Sequence, residues 1–283
     1  MKELLLKGER RMTYLRRKID AFLEQWKSDS GKKPLVVKGP RQVGKTESIR
    51  RFGFANYDSV IEINFVEEPK YKSIIEDGYS AASIVRNISL LDPAKRFIEG
   101  RTLLFFDELQ EFPEIATALK FFKQDARFDV ICSGSMLGIN YQRIESNSVG
   151  YKTDFEMRSL DFEEFLWAKG YDNSIAGEML AHLVEARPFT NIQHKVLMDV
   201  FLDYCALGGM PDVVRSYIDQ NTFEGSLQTQ RQLVLDYRED IQKYAEGLDK
   251  GRILNVFSHI PAQLAKENKK FQMSKVAKNA RFK

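Results

Sequence analysis

Eight consecutive residues, Gly39-Pro40-Arg41-Gln42-Val43-Gly44-Lys45-Thr46, have the form G-x-x-x-x-G-K-T. Glycines let the chain turn so that successive N–H groups point at an anion. A lysine at the position of Lys45 reaches the β- and γ-phosphates of a nucleotide, and a hydroxyl at that of Thr46 is a Mg²⁺ ligand. Glu47 follows at the start of a predicted helix, whose dipole favours negative charge at that end. Gly39 to Glu47 are therefore the candidate phosphate cradle.

Two further groups complete a constellation. Thr102-Leu103-Leu104-Phe105-Phe106 is an apolar run that ends in Asp107-Glu108. A buried parallel strand explains the run, and its carboxyl end is where such sheets present their chemistry. Asp107 is the candidate partner of Thr46 at Mg²⁺, and Glu108 the candidate for orienting an attacking water, since phosphoryl transfer needs positioning above all. Phe128-Asp129-Val130-Ile131-Cys132 then leads into Ser133-Gly134-Ser135. This is ordinary turn chemistry, or a hydroxyl near the γ-phosphate, with Ser133 ahead of Ser135. The catalytic candidates are thus Glu108, Lys45 and Ser133. Arg41 inside the loop, and Arg143 or Arg158 downstream, are candidates for an extra cation, and none is singled out.

The elements that must hold these groups follow from periodicity. Met12, Leu15, Ile19, Phe22, Leu23 and Trp26 have helical spacing over 10–28. Leu35-Val36-Val37 reads as a buried strand before the loop, and the helix after it is expected to end near Gly53. A second strand is expected over Val60–Phe65, and short helices over Pro69–Asp77, Ala81–Leu91 and Glu114–Lys123. A strand over Tyr151–Leu160 precedes a helix capped by Asp161. Alternating strands and helices predict an α/β fold with a mainly parallel sheet. From about residue 172 only helical periodicity remains, over 175–186, 191–206, 211–219, 226–245, 250–258 and 261–268.

Composition narrows the classes. The 283 residues are 43% hydrophobic and 29% charged, with a net charge of +3; this is the balance of a globular protein with a substantial core. No apolar run approaches the roughly 20 residues that span a bilayer, and the N-terminus lacks a signal-peptide pattern, so a cytoplasmic protein without membrane contact is expected. Cys132 and Cys205 have no ligand or disulfide spacing and are expected to be small buried apolar residues. Lys266, Lys269, Lys270, Lys275, Lys278, Arg281 and Lys283 make the last stretch basic, either a solvated surface or an edge facing nucleic acid.

The strings Lys38–Thr46, Phe106–Gln110, Ser133–Ser135, Ser159–Leu166 and Leu207–Pro211 together resemble a family of prokaryotic AAA-type ATPases with a C-terminal domain of unknown function. The resemblance implies a P-loop NTPase core over 1–168, followed over 169–283 by a helical lid and a winged-helix-like region. It also implies that relatives continue into a restriction-endonuclease-like domain that this chain lacks, as a truncated form would. Where many relatives carry Gly-Arg, this chain has Gly150-Tyr151 followed by Lys152. The expected activity is Mg²⁺-dependent ATP hydrolysis that drives a switch. The alternative is a nucleotide-gated module that binds DNA or a protein through its helical half and hydrolyses little. Homo-oligomers are compatible with either. Asn-Lys-x-Asp, the guanine signature, is absent from the sequence, so ATP is favoured over GTP.

Overall fold

The structure, a computed structural model, describes residues 13–135, 149–244 and 250–267. Its centre is a parallel sheet of five strands: β1 (Leu35–Gly39), β2 (Ser59–Asn64), β3 (Thr102–Asp107), β4 (Asp129–Ser135) and β5 (Thr153–Glu156). Their order is β2-β3-β4-β1-β5. The chain leaves β1, crosses to the far edge at β2, and winds back through β3 and β4. β5 then adds to the other side of β1. The α/β expectation is met, and β4 lies between the strand before the G-x-x-x-x-G-K-T loop and the strand that ends in the two acids.

Alternation along each strand divides the core into two layers. Leu104 and Phe106 of β3 pack with Val36, Ile61, Ile63, Val130 and Cys132 beneath α3 (Ala81–Leu91) and α4 (Leu119–Asp125). Leu103 and Phe105 face the opposite way, with Leu35, Val37 and Ile131, beneath α1 (Lys18–Ser28) and α2 (Lys45–Asn56). Both faces are covered, which is why these strands read as unbroken apolar runs.

Several expected boundaries shift, each for a visible reason. The first helix begins at Lys18; Arg17 is extended, and the Asp20 carboxylate accepts the Arg17 N–H at 2.9 Å to start the helix. α2 runs through Gly53 to Asn56. A Cβ at Gly53 would stand 3.0 Å from Leu103 Cδ2 and 3.1 Å from Val60 Cγ2, so this glycine brings the helix close to the sheet and does not end it. The segment after Pro113 begins as a 3₁₀ helix, Pro113–Ala118, and becomes α-helical only at Leu119. Pro69–Ile75 is likewise 3₁₀. Ser133 and Ser135 belong to β4 and form no turn. Cys132 is buried, and burial pushes its thiol well above the usual range; Cys205 is exposed, contrary to expectation.

Past β5 the described elements are all helices: α5 (Phe162–Ala168), α6 (Asn173–Val184), α7 (Asn191–Leu207), α8 (Pro211–Gln220), α9 (Phe223–Tyr244) and α10 (Lys250–Leu264). No strand occurs among the described residues of this region, so of the winged-helix-like expectation only helices are found. The two helices expected over 250–268 are one. Pro261 sits in the last turn of α10, where it forfeits a single N–H. The described residues part into two compact units between Leu227 and Gln228. No described helix is long and apolar enough to cross a membrane.

Candidate active site

The loop after β1 is built by close approach. A Cβ at Gly39 would lie 2.0 Å from the Met157 carbonyl oxygen, so only glycine lets the chain leave the sheet there. Gly44 has φ of 92°, in the left-handed region that glycine adopts without strain. α2 starts at Lys45, and the N–H groups of its first turn have no helical carbonyl ahead of them. The first-turn N–H groups of α2 and the helix dipole therefore point at the loop Gly39 to Glu47, which fits a polyphosphate. The Lys45 ammonium folds over the loop, donating to the carbonyls of Gly39 at 3.0 Å and Pro40 at 2.6 Å. Burial pulls its pKa below the usual lysine range. Glu108 and Asp107 oppose that shift, and Arg41 adds to it.

The acids arrive from β3. Thr46 Oγ1 donates to Asp107 Oδ2 at 3.0 Å, joining residues 61 positions apart. The Ser133 hydroxyl donates to the other oxygen, Asp107 Oδ1. β4 pairs with both flanking strands in a register that sets Cys132 opposite Phe106 and Ser133 opposite Val37. This places Ser133 beside the carboxyl end of β3. Thr46 and Asp107 form a sparse donor set of one hydroxyl and one carboxylate. Such a set suits Mg²⁺, which retains water and phosphate ligands. Among the described residues no cluster of three His, Cys, Asp or Glu side chains offers an all-protein metal cage. Glu108 follows in the left-handed region, φ 56° and ψ 47°, its N–H donating to Asp107 Oδ1 at 3.0 Å. Its carboxylate accepts from the Gln110 side-chain amide.

Every residue expected at the site except Arg143, which lies outside the described residues, can thus be placed. Gly39 to Glu47, Asp107, Glu108 and Ser133 come together; Arg158 does not join them. Its guanidinium is exposed and pairs with Glu156 at 3.0 Å. Tyr151 stands where relatives were expected to carry arginine, and Lys152 next to it pairs with Asp154 at 2.5 Å. Residues 31–166 match the family model of an AAA domain. Residues 198–283 match that of a domain of unknown function (DUF8612). No curated protein matches the chain. The AAA-domain match begins just before β1 and ends inside α5, so it encloses the loop, both acids and Ser133.

Three side chains that motif reading passed over brace the region that matches the AAA-domain model. Arg17, buried, donates to the Val43 carbonyl at 2.7 Å and the Arg158 carbonyl at 2.6 Å, and its Nε stands 3.2 Å from Glu164. Arg215 of α8 reaches Glu47 at 2.9 Å, Asp212 at 3.2 Å and the Thr13 carbonyl at 3.2 Å. Gln110 is buried between β3 and β4. Only Glu164 had a legible signal. Asp161-x-x-Glu164 is a capping box, and the structure forms it, with Glu164 N–H bonded to Asp161 at 3.0 Å and Asp161 N–H to Glu164 at 3.2 Å.

Proposed function

We propose that the chain binds ATP at Gly39 to Glu47 and hydrolyses its terminal phosphoanhydride, working as a nucleotide-driven switch. The observation that carries this reading is the 3.0 Å contact between Thr46 and Asp107, because it joins the phosphate loop to the acids of β3. Lys45 would neutralise the β- and γ-phosphates, and first-turn N–H groups of α2 would hold their oxygens. Thr46 and Asp107 are the residues that would hold Mg²⁺, which would offset the negative charge that develops during phosphoryl transfer. Ser133 donates to the Asp107 carboxylate and would respond to the γ-phosphate from that position. Glu108 would orient the water for in-line attack. The C-terminal part of the chain, after residue 168, is what such a switch would move.

Lys45→Ala removes the only side-chain cation of the loop's helix start, so ATP binding is expected to be lost. Glu108→Gln keeps the shape and the phosphate contacts, so binding is expected to persist while turnover falls at least a hundredfold, as loss of a water-positioning group implies. Equilibrium binding of a fluorescent ATP analogue and steady-state phosphate release read the two separately. Full turnover in Glu108→Gln would remove that residue from its role, and equal competition by GTP would remove the preference for ATP.

A second reading, a nucleotide-gated module that hydrolyses little and binds a protein partner, draws on large apolar side chains left in solvent on α6 and α7. Leu183 is 77%, Val184 76% and Ile192 78% exposed. ATP binding without turnover in the unaltered protein would favour it.

A further inference from the structure

The short 3₁₀ turn after β3, Leu109–Glu111, carries a buried amide that the phosphate chemistry does not itself require. Gln110 is 4% exposed. Its Nε2 donates to the Glu108 carboxylate, and its Oε1 accepts the Ser135 N–H at 2.9 Å. Only a carboxamide of this length donates at one end and accepts at the other: glutamate would oppose Glu108, and leucine or methionine would do neither. The opposite wall is fitted to it. A Cβ at Gly134 would stand 3.1 Å from Gln110 Oε1 and 3.4 Å from Leu109 Cβ, so glycine at this β4 position clears the seat.

We propose that Gln110 is a positioning residue that sets the Glu108 carboxylate and ties it to the tip of β4. This rests on the hydrolysis reading above. Glu108 sits in the left-handed region, φ 56°, which costs a non-glycine residue free energy and persists only where surroundings enforce it. The Glu111 N–H holds the Glu108 carbonyl at 2.9 Å, and the Gln110 amide holds its carboxylate. β4 then governs both acids of β3: Ser133 holds Asp107 directly, and Ser135 holds Glu108 through Gln110. A displacement at the tip of β4 would move the water-orienting carboxylate while the phosphate loop stays in place. Hydrolysis is thereby adjustable apart from binding.

The test compares ATP turnover with ATP-analogue affinity in Gln110→Ala, Gln110→Glu and Gly134→Ala, each alone and with Glu108→Gln. Gln110→Ala is expected to lower kcat about tenfold to a hundredfold, the scale of a 1 Å misplacement, with the dissociation constant within about twofold. Gln110→Glu is expected to fall further through charge repulsion. Gly134→Ala crowds the same amide from β4, so it should lower kcat in the natural background and add nothing in Gln110→Ala. In Glu108→Gln, Gln110→Ala should change nothing more, because the group it positions is gone. A merely structural role would instead lower affinity and melting temperature together and would add to Glu108→Gln. Turnover in Gln110→Ala equal to that of the unaltered protein overturns this inference alone. If Gln110→Ala does not fold, Gly134→Ala decides on the same criteria. An unaltered protein that binds ATP without hydrolysing it overturns the hydrolysis reading, and this inference with it.

Discussion

Lys45 is a cation held where its charge is disfavoured. Burial lowers its pKa, and the carboxylates of Glu108 and Asp107 restore only part of the difference. Because the folded value lies below the unfolded one, the charged lysine costs folding stability at low pH. That cost fades as pH rises from the folded value towards the unfolded one. Binding has the opposite sign, since a polyphosphate needs the ammonium and must recover its proton once pH passes the lowered value. ATP affinity is therefore expected to fall with rising pH, and to do so at a pH below the ordinary lysine range. In Lys45→Arg any fall should move beyond that range, since a guanidinium stays charged above about pH 12. Titrations of ATP-analogue binding across pH 7 to about 10, roughly the interval up to the free lysine value, check this. An identical fall in Lys45→Arg would place the titrating group elsewhere.

At the level of elements, the loop is braced from outside by Arg17, which precedes α1 and touches the Val43 carbonyl while pairing with Glu164 of α5. Removing one partner of a buried pair strands the other, at about 3–5 kcal/mol. Arg17→Met is expected to lose on the order of that much stability and to weaken ATP binding, because Val43 loses its donor. Pairing it with Glu164→Leu removes the stranded carboxylate. Stability should then return in large part while ATP affinity stays low. Denaturant unfolding and ATP titration on the three variants separate the two contributions, and affinity recovering in parallel with stability would deny Arg17 its place at the loop. This brace also marks where reading a sequence stops. The loop glycines, Asp107, Glu108 and the strands that carry them were legible because each needs a residue type that local spacing reveals. Arg17 sits among Arg16 and Lys18 with nothing to distinguish it, and Arg215 lies 168 positions from the Glu47 it binds. Helix ends misled where tertiary contact decided them. Gly53 reads as a stop, yet it is a point of close approach to Leu103 and Val60.

Across the whole molecule, every group assigned to phosphate chemistry, and Arg215 of α8 that pairs with Glu47, lies in the compact unit that ends at Leu227. Ligand binding to the native state slows amide exchange, where exchange follows opening of the site, by about the factor 1 + [ATP]/Kd, roughly a hundredfold at a hundred times Kd. With Mg²⁺ and ATP, protection is expected at the N–H groups of Gly39 to Glu47. It should extend to the carboxyl ends of β3 and β4, where Asp107, Glu108 and Ser135 are joined by hydrogen bonds. Residues 228–244 and 250–264, in the second unit, contribute none of these groups, so their exchange is read separately from that of the loop. A switch requires the two nucleotide states to differ there. ATP and ADP should protect the loop alike and leave the second unit's helices exchanging at different rates. Hydrogen exchange read by mass spectrometry in Glu108→Gln, which keeps ATP intact during the measurement, resolves both regions. Equal exchange over 228–264 in the two nucleotides would limit the ATP effect to the first unit and remove the switch from the proposed function.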